Sequence, residues 1–155
     1  MLSSCCYDTS IGRVKISDDG EGISEITICN PYNCNHFSNT ALTDEAYLQI
    51  SEYLSGNRKC FDIKLSLKGT EFQRAVWDQL SIIPYGKTKT YGEIASCLDN
   101  PKASRAVGMA CNKNPIMILV PCHRIIGKNG SLTGYALGLD IKKYLLNMEK
   151  ERDSK

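Results

Sequence analysis

The sequence predicts an α/β chain of the α+β kind. A small β-rich part covers residues 1–66 and a helical part covers residues 67–155. Two observations carry this. Alternating apolar and polar residues flank the turn "SDDGEG" in the first third, the pattern of half-buried strands. From Gly69 onward the periodicity is helical, opened by the two capping-box stretches "TEFQ" and "TYGE".

Taken in order, "IGRVKISDDGEGISEITIC" reads as a hairpin-like strand pair. "NPYNCNHFSNT" is an Asn-rich loop. "TDEAYLQISEYLSGN" is a helix with Thr43 as its cap, an apolar stripe of Tyr47, Leu48, Ile50 and Leu54, and Gly56 as its stop. "CFDIKLSL" is a strand candidate. The next helix starts at Thr70, carries Phe72, Val76, Trp77 and Leu80 inward and ends before Pro84. "PYGKTKT" is a basic turn, and Thr90 with Glu93 opens the short helix "YGEIASCL". Asn100 caps a third helix with Pro101 at its first position, where a missing N–H costs nothing, and that helix runs to about Lys113. Asn114-Pro115 breaks it. "IMILV" reads as a short buried strand, "GKNGSLTGYALG" as a glycine-rich loop, and "DIKKYLLNMEK" as an amphipathic helix capped by Asp140.

Composition narrows the class of protein. Apolar content of 42% and charge of 23% are ordinary for a soluble globular chain. No apolar run is long enough to span a bilayer, and the N-terminus has no basic-then-apolar secretory pattern. Eight cysteines without an export signal predict mostly reduced, packing thiols and a reducing compartment, cytoplasm or nucleus. Residues 1–56 hold two basic and eight acidic side chains, net −6, whereas residues 57–155 hold seventeen and nine, net +8. A basic half on a nearly neutral chain suits a polyanion-binding face, although ordinary solvated surface gives the same count. The two short helices joined by "LDNP", with Lys102 and Arg105 near the start of the second, have a helix-turn-helix outline.

Cys122 stands apart from the other cysteines. It lies in "LVPCHRII", after an apolar run, behind Pro121 and beside His123 and Arg124. Catalytic thiols need a His or cationic neighbour to become thiolate. Spacing alone leaves both chemistry and packing open.

"PCHR" after an aliphatic run, with "NP" seven residues before the Pro, resembles the active-site signature of the O6-alkylguanine-DNA alkyltransferases. "GTEFQRAVW", "IPYGKTKTYGEIA", "NPKASRAVGMACNKNP", "ILVPCHRII" and "GSLTGYALGL" follow that family's order over roughly residues 67–150. The first third resembles it more loosely.

The resemblance implies a ribonuclease-H-like N-terminal domain and a winged-helix or helix-turn-helix-type C-terminal domain. It implies stoichiometric alkyl transfer from guanine O6, and possible action on O4-methylthymine, to Cys122 after base flipping in double-stranded DNA, with no cofactor, by a monomer. In it Cys122, His123, Glu149 and Tyr91 are catalytic, with His123 taking the thiol proton through a water and Glu149 orienting His123. The helix bearing Arg105, Lys102 and Ala103 enters the minor groove, and Arg105 fills the gap left by the flipped base. Tyr135, Ala136, Leu137, Asn114 and Pro121 form the substrate pocket, with Asn114 bracing the turn before the site. Arg124 is structural. Ala136 stands where many relatives carry Ser and Leu137 where several carry Gly, which implies poorer acceptance of large O6 groups. Structural zinc on Cys5, Cys6, Cys29, Cys34 and His36 is not expected, because their spacing is not a strong zinc pattern. Two rivals are a thiol hydrolase built on Cys122 and His123, and a module that recognises alkylated bases without repairing them.

Overall fold

The computed structural model describes residues 2–30 and 38–153. The loop positions 31–37, with Cys34 and His36 among them, lie outside the described residues. The chain forms two compact units, residues 1–68 and 69–155.

In the first unit, β1 (Ser3–Thr9), β2 (Gly12–Asp18) and β3 (Ile23–Ile28) form an antiparallel sheet in the order β1-β2-β3. The hairpin read from the sequence is β2–β3, with Ile16 opposite Ile26 and Val14 opposite Ile28. Strand β1 has no clear alternation of its own. It is set by pairing, Cys5 against Ile16 and Tyr7 against Val14. Helix α1 (Ala41–Leu54) covers the sheet and buries Ala46, Ile50 and Tyr53 against Val14, Ile16, Ile23 and Ile26.

Several expectations are corrected here. The cap of α1 is Thr40; Thr43 is its third residue and completes a reciprocal capping box with it. Leu48 points out, 52% exposed, and Tyr53 takes the inward place. "CFDIKLSL" is not a strand. It touches the sheet only at Leu65, which bridges Ile23 in parallel. Among the described residues six cysteines are free, but Cys60 and Cys97 are exposed rather than packed, and Cys29 is in a disulfide, not a reduced packing thiol.

The second unit comprises α2 (Glu71–Ser81), β4 (Lys89–Thr90), α3 (Tyr91–Cys97), α4 (Ser104–Asn112), a 3₁₀ turn (Cys122–Arg124), β5 (Ile125–Ile126) and α5 (Leu139–Asp153). The Thr70–Gln73 capping box starts α2 as expected. Its Trp77 is buried, and the indole Nε1–H donates to the Ala110 carbonyl at 2.9 Å, which fixes α2 to α4. Strands β4 and β5 pair in parallel, a two-residue ladder too short to read from sequence. The pair α3–α4 is the helix-turn-helix outline, turned at Asp99 with φ +58°.

Three boundaries differ from the sequence reading. Pro101 and Lys102 belong to the turn, and α4 begins at Ser104 with Ala103 as a cap that makes no side-chain bond. Helix α5 starts at Leu139, so Asp140 sits inside its first turn. "IMILV" is no strand but a run of buried turns, closed by Val120 N–H to Ile116 O at 3.2 Å and Leu119 N–H to Met117 O at 2.9 Å. A five-residue apolar run fits a strand or any other buried segment equally well, and prolines at 115 and 121 bracket this one. Among the described residues no helix is long and apolar enough to cross a membrane.

Gly22 generates a stability prediction. A Cβ there would lie 2.9 Å from Leu65 C and Lys64 O, backbone atoms held by the Ile23–Leu65 bridge. Gly22→Ala should cost about 1–3 kcal/mol in urea unfolding. Gly134→Ala, with nothing within 4 Å of the added carbon, should change stability little. Equal effects of the two would contradict the close approach.

Candidate active site

The turn Cys122–Arg124 solves a placement problem. In a strand, neighbours face opposite sides. With three residues per turn, consecutive side chains instead fan out around the axis. Cys122, His123 and Arg124 are all buried, at 5%, 0% and 6% exposure. Two of them converge on one group from α5. His123 Nε2 lies 2.7 Å from Glu149 Oε2, while Arg124 Nε–H donates to Oε1 at 2.8 Å and Nη2–H to Oε2 at 3.0 Å. Arg124 Nη1–H also donates to the Ile83 carbonyl at 2.8 Å, and its guanidinium lies 5.7 Å from the Tyr85 ring centre.

The electrostatics fix protonation states. Burial works against the Glu149 carboxylate, but the His123 hydrogen bond and charge and the Arg124 guanidinium outweigh it and hold its pKa down to about 2. An ionised carboxylate only accepts, so the proton on His123 sits on Nε2 and Nδ1 is the basic nitrogen. Burial also lowers the His123 pKa, so the ring is neutral at neutral pH. Burial pushes the Cys122 thiol up to about 11, with the Asn114 amide and the Lys142 charge pulling the other way. At rest this is a protected thiol, and it needs a base to become a nucleophile.

Asn114 is buried between the end of α4 and the site. Its Nδ2–H donates to the Val120 carbonyl at 2.8 Å, and its Oδ1 accepts from Ile116 N–H at 2.9 Å. Those two bonds clamp the buried turns that deliver Cys122, where Ile118 is held at φ +73°. A β-branched residue there is strained and persists only because its surroundings are over-determined. Pro121 is buried and accepts from Arg124 N–H at 3.0 Å.

Tyr91 opens α3 and is half-buried. Its hydroxyl is 2.7 Å from Thr133 Oγ1, and its phenol is raised first by burial and then by proximity to Cys111 and Cys122. Tyr135 meets His123 edge-on with ring centres 6.4 Å apart. Its hydroxyl is buried without a hydrogen-bond partner among the described residues. Leu137 is buried at 8% exposure, whereas Ala136 is exposed. Arg105 is exposed on α4 and lines a cleft of about 460 Å³ with Tyr91, Gly108, Met109, Asn112 and Thr133. Lys102 is exposed in the preceding turn, three residues before Arg105, and does not line that cleft. Ala103 is 8% exposed, which leaves it little surface for contact.

Sequence reading passed over Lys142. Lys142 is fully buried, its pKa lowered by that burial, and its Nζ–H donates to the Thr133 carbonyl at 3.0 Å. The signal was present: Lys142, Leu145 and Glu149 share one face of α5 at i, i+3 and i+7. Arranged this way, the site offers a buried thiol, a neutral imidazole oriented by a carboxylate, and a cationic helix beside an open cleft.

Comparisons with known proteins identify the family. A family model described as 6-O-methylguanine DNA methyltransferase, DNA binding domain, matches residues 71–151, and one described as 6-O-methylguanine DNA methyltransferase, ribonuclease-like domain, matches residues 5–67. A methylated-DNA--protein-cysteine methyltransferase of Methanosarcina acetivorans is 49% identical over 148 residues, 92% of this chain and 95% of that one. The crystal structure of Mycobacterium tuberculosis O6-methylguanine methyltransferase superposes with TM-score 0.88 at 39% identity, covering 98% of this chain and 94% of that one. A crystal structure of Mycobacterium tuberculosis OGT in complex with DNA gives TM-score 0.88 at 40% identity, covering 96% and 93%. On both family models and on relatives matched along almost the whole chain, this protein belongs to the methylated-DNA–protein-cysteine methyltransferase family.

Proposed function

We propose that the protein repairs alkylated DNA by moving an alkyl group from guanine O6 to Cys122, once per molecule. The observation that carries this is the buried Cys122 beside a His123 whose Nε2 is held by an ionised Glu149. A thiol raised to about 11 reacts only where a base takes its proton, and His123 Nδ1 is that base, acting through a water. The S–C bond forms as the C–O6 bond breaks in line. The electron pair goes to guanine, and the proton lost by the thiol balances the one guanine gains at N1. A thioether has no hydrolytic exit here, so the protein is consumed. Nucleophile, base and donors are all side chains, so the transfer needs no metal or cofactor. A nucleophile spent as a free thiol suits a reducing compartment.

The target atom lies inside the duplex, so the nucleotide is flipped out and Arg105 fills the gap from the minor groove. The Tyr91 phenol, kept protonated, exchanges Thr133 for guanine N3 as charge develops on the base. Tyr135 packs on the flipped base. Asn114, Pro121, Ala136 and Leu137 shape its pocket, and Lys102 contacts phosphate. The protein acts as a monomer, and O4-methylthymine is a second substrate.

The first test is intact-protein mass after incubation with duplex DNA carrying one O6-methylguanine. The native protein should gain one methyl group, mapped to Cys122, and Cys122→Ala none. Tight lesion binding without a mass change would point to a recognition module instead. For the proton acceptor, the sign follows from the lowered His123 pKa. The transfer rate should hold as pH falls to about 6.5 and drop only below it, as the ring gains its proton. His123→Gln should slow transfer by about 100-fold and lose that acid limb. A native rate rising steadily through neutral pH would mean direct titration of the thiol and would sink the His123 assignment. Glu149→Gln, which strands Arg124 in the interior, should also cost about 3–5 kcal/mol in urea unfolding. The native stability from Glu149 is complete above the ordinary carboxylate range and is lost as pH falls toward about 2. Arg105→Ala should slow repair of duplex far more than repair of the same lesion in a single strand, which has no stack to prop open.

A further inference from the structure

Met109 is 64% exposed, and Leu2, Leu48, Ile82, Leu139 and Tyr144 are also large apolar residues on the surface. Single exposed apolar residues need no explanation in general. Met109 differs by position: it is the only one of these that lines the cleft beside Arg105. Arg105, Met109 and Asn112 follow each other at i, i+4 and i+7 and form one outward stripe of α4. The cleft they share holds the Arg105 guanidinium and no carboxylate, a charge pattern suited to a polyanion. On the inner side of α4, Val107, Ala110 and Cys111 are buried, so the helix is held rigidly with this stripe outward.

We infer that Met109 is an apolar reader of the DNA minor groove, which makes repair sensitive to the base pairs flanking the lesion. This rests on the DNA repair function proposed above. Four residues of helix advance about 6 Å, so with Arg105 in the place of the flipped nucleotide, Met109 reaches about one to two base pairs along. Apolar side chains, Met among them, are used as minor-groove wedges. In that groove A·T pairs show only acceptors, and G·C pairs add the guanine 2-amino donor. A thioether is at best a weak acceptor. A 2-amino group pressed against it loses its water without gaining a good partner, and that penalty falls on G·C neighbours alone.

The test uses three duplexes with one O6-methylguanine, flanked on both sides by A·T, G·C or inosine·C pairs. Inosine is guanine without the 2-amino group. Native protein should repair the A·T and inosine·C duplexes at similar rates and the G·C duplex about five- to tenfold more slowly. Differences in how easily the duplexes open are the same for every protein variant, so the decisive quantity is the inosine·C to G·C rate ratio. It should fall by about threefold or more in Met109→Ala, whose folding is checked by an unchanged urea midpoint, and remain in Ile82→Ala, an exposed apolar residue outside the cleft. An equal ratio in native and Met109→Ala overturns the inference. Absence of methyl transfer from every duplex would instead overturn the repair function, so the two failures are told apart.

Discussion

Glu149 is a carboxylate buried at 1% exposure, and the site is arranged around keeping it ionised there. A lone buried carboxylate would neutralise itself by taking a proton. This one accepts a bidentate pair from Arg124 and a bond from His123, all charge-assisted or short. Because Glu149 stays charged, the imidazole is fixed in one tautomer, with its basic nitrogen turned away from α5. Because Arg124 is bonded at the same time to the Ile83 carbonyl, the end of α2, the 3₁₀ turn and α5 are pinned at one point. Breaking the pair would free a buried guanidinium as well as a histidine.

The same burial that makes Glu149 demanding protects Cys122. A thiol held near 11 is largely uncharged in neutral solution and is a poor target for stray oxidants and alkylating agents. In the reaction proposed above, reactivity is reserved for a substrate that enters beside His123. The cleft on α4 is linked to that pocket covalently and mechanically. Asn114 follows α4 by two residues and clamps the turns leading to Cys122, and Trp77 locks α4 through Ala110. The α4 cleft and Cys122 are thereby held in one frame, which the alkyl transfer proposed above requires.

Much of this was legible. Helix α2 announced itself by Thr70, Gln73 and the Val76–Trp77–Leu80 stripe, because capping and periodicity are local physics. The constellation Cys122, His123 and Glu149 came from a family motif; by spacing alone Glu149 looked like part of a solvated charged run. Lys142 was missed for the same reason, since a lysine on a helix is read as exposed until its neighbours on the inward face are counted. The strand expected over Ile116–Val120 failed because hydrophobicity reports burial, and burial does not choose between a ladder and a turn. Strand β1 was missed for the opposite reason: its pairing with β2 supplies order that "SSCCYDT" does not encode locally.

By itself the sequence determined the two-part α+β organisation, the helix starts at Thr70 and Thr90, the sheet hairpin and the motif around Cys122. Each depends on residues within a few positions of one another. Only tertiary structure decided that His123 and Arg124 share Glu149, that the neighbours of Cys122 fan out on a 3₁₀ turn, and that Met109 stands outward beside Arg105. Those facts depend on which groups become neighbours once water is excluded. There, an unpaired charge or donor costs enough to select one arrangement, and no local pattern along the chain records that selection.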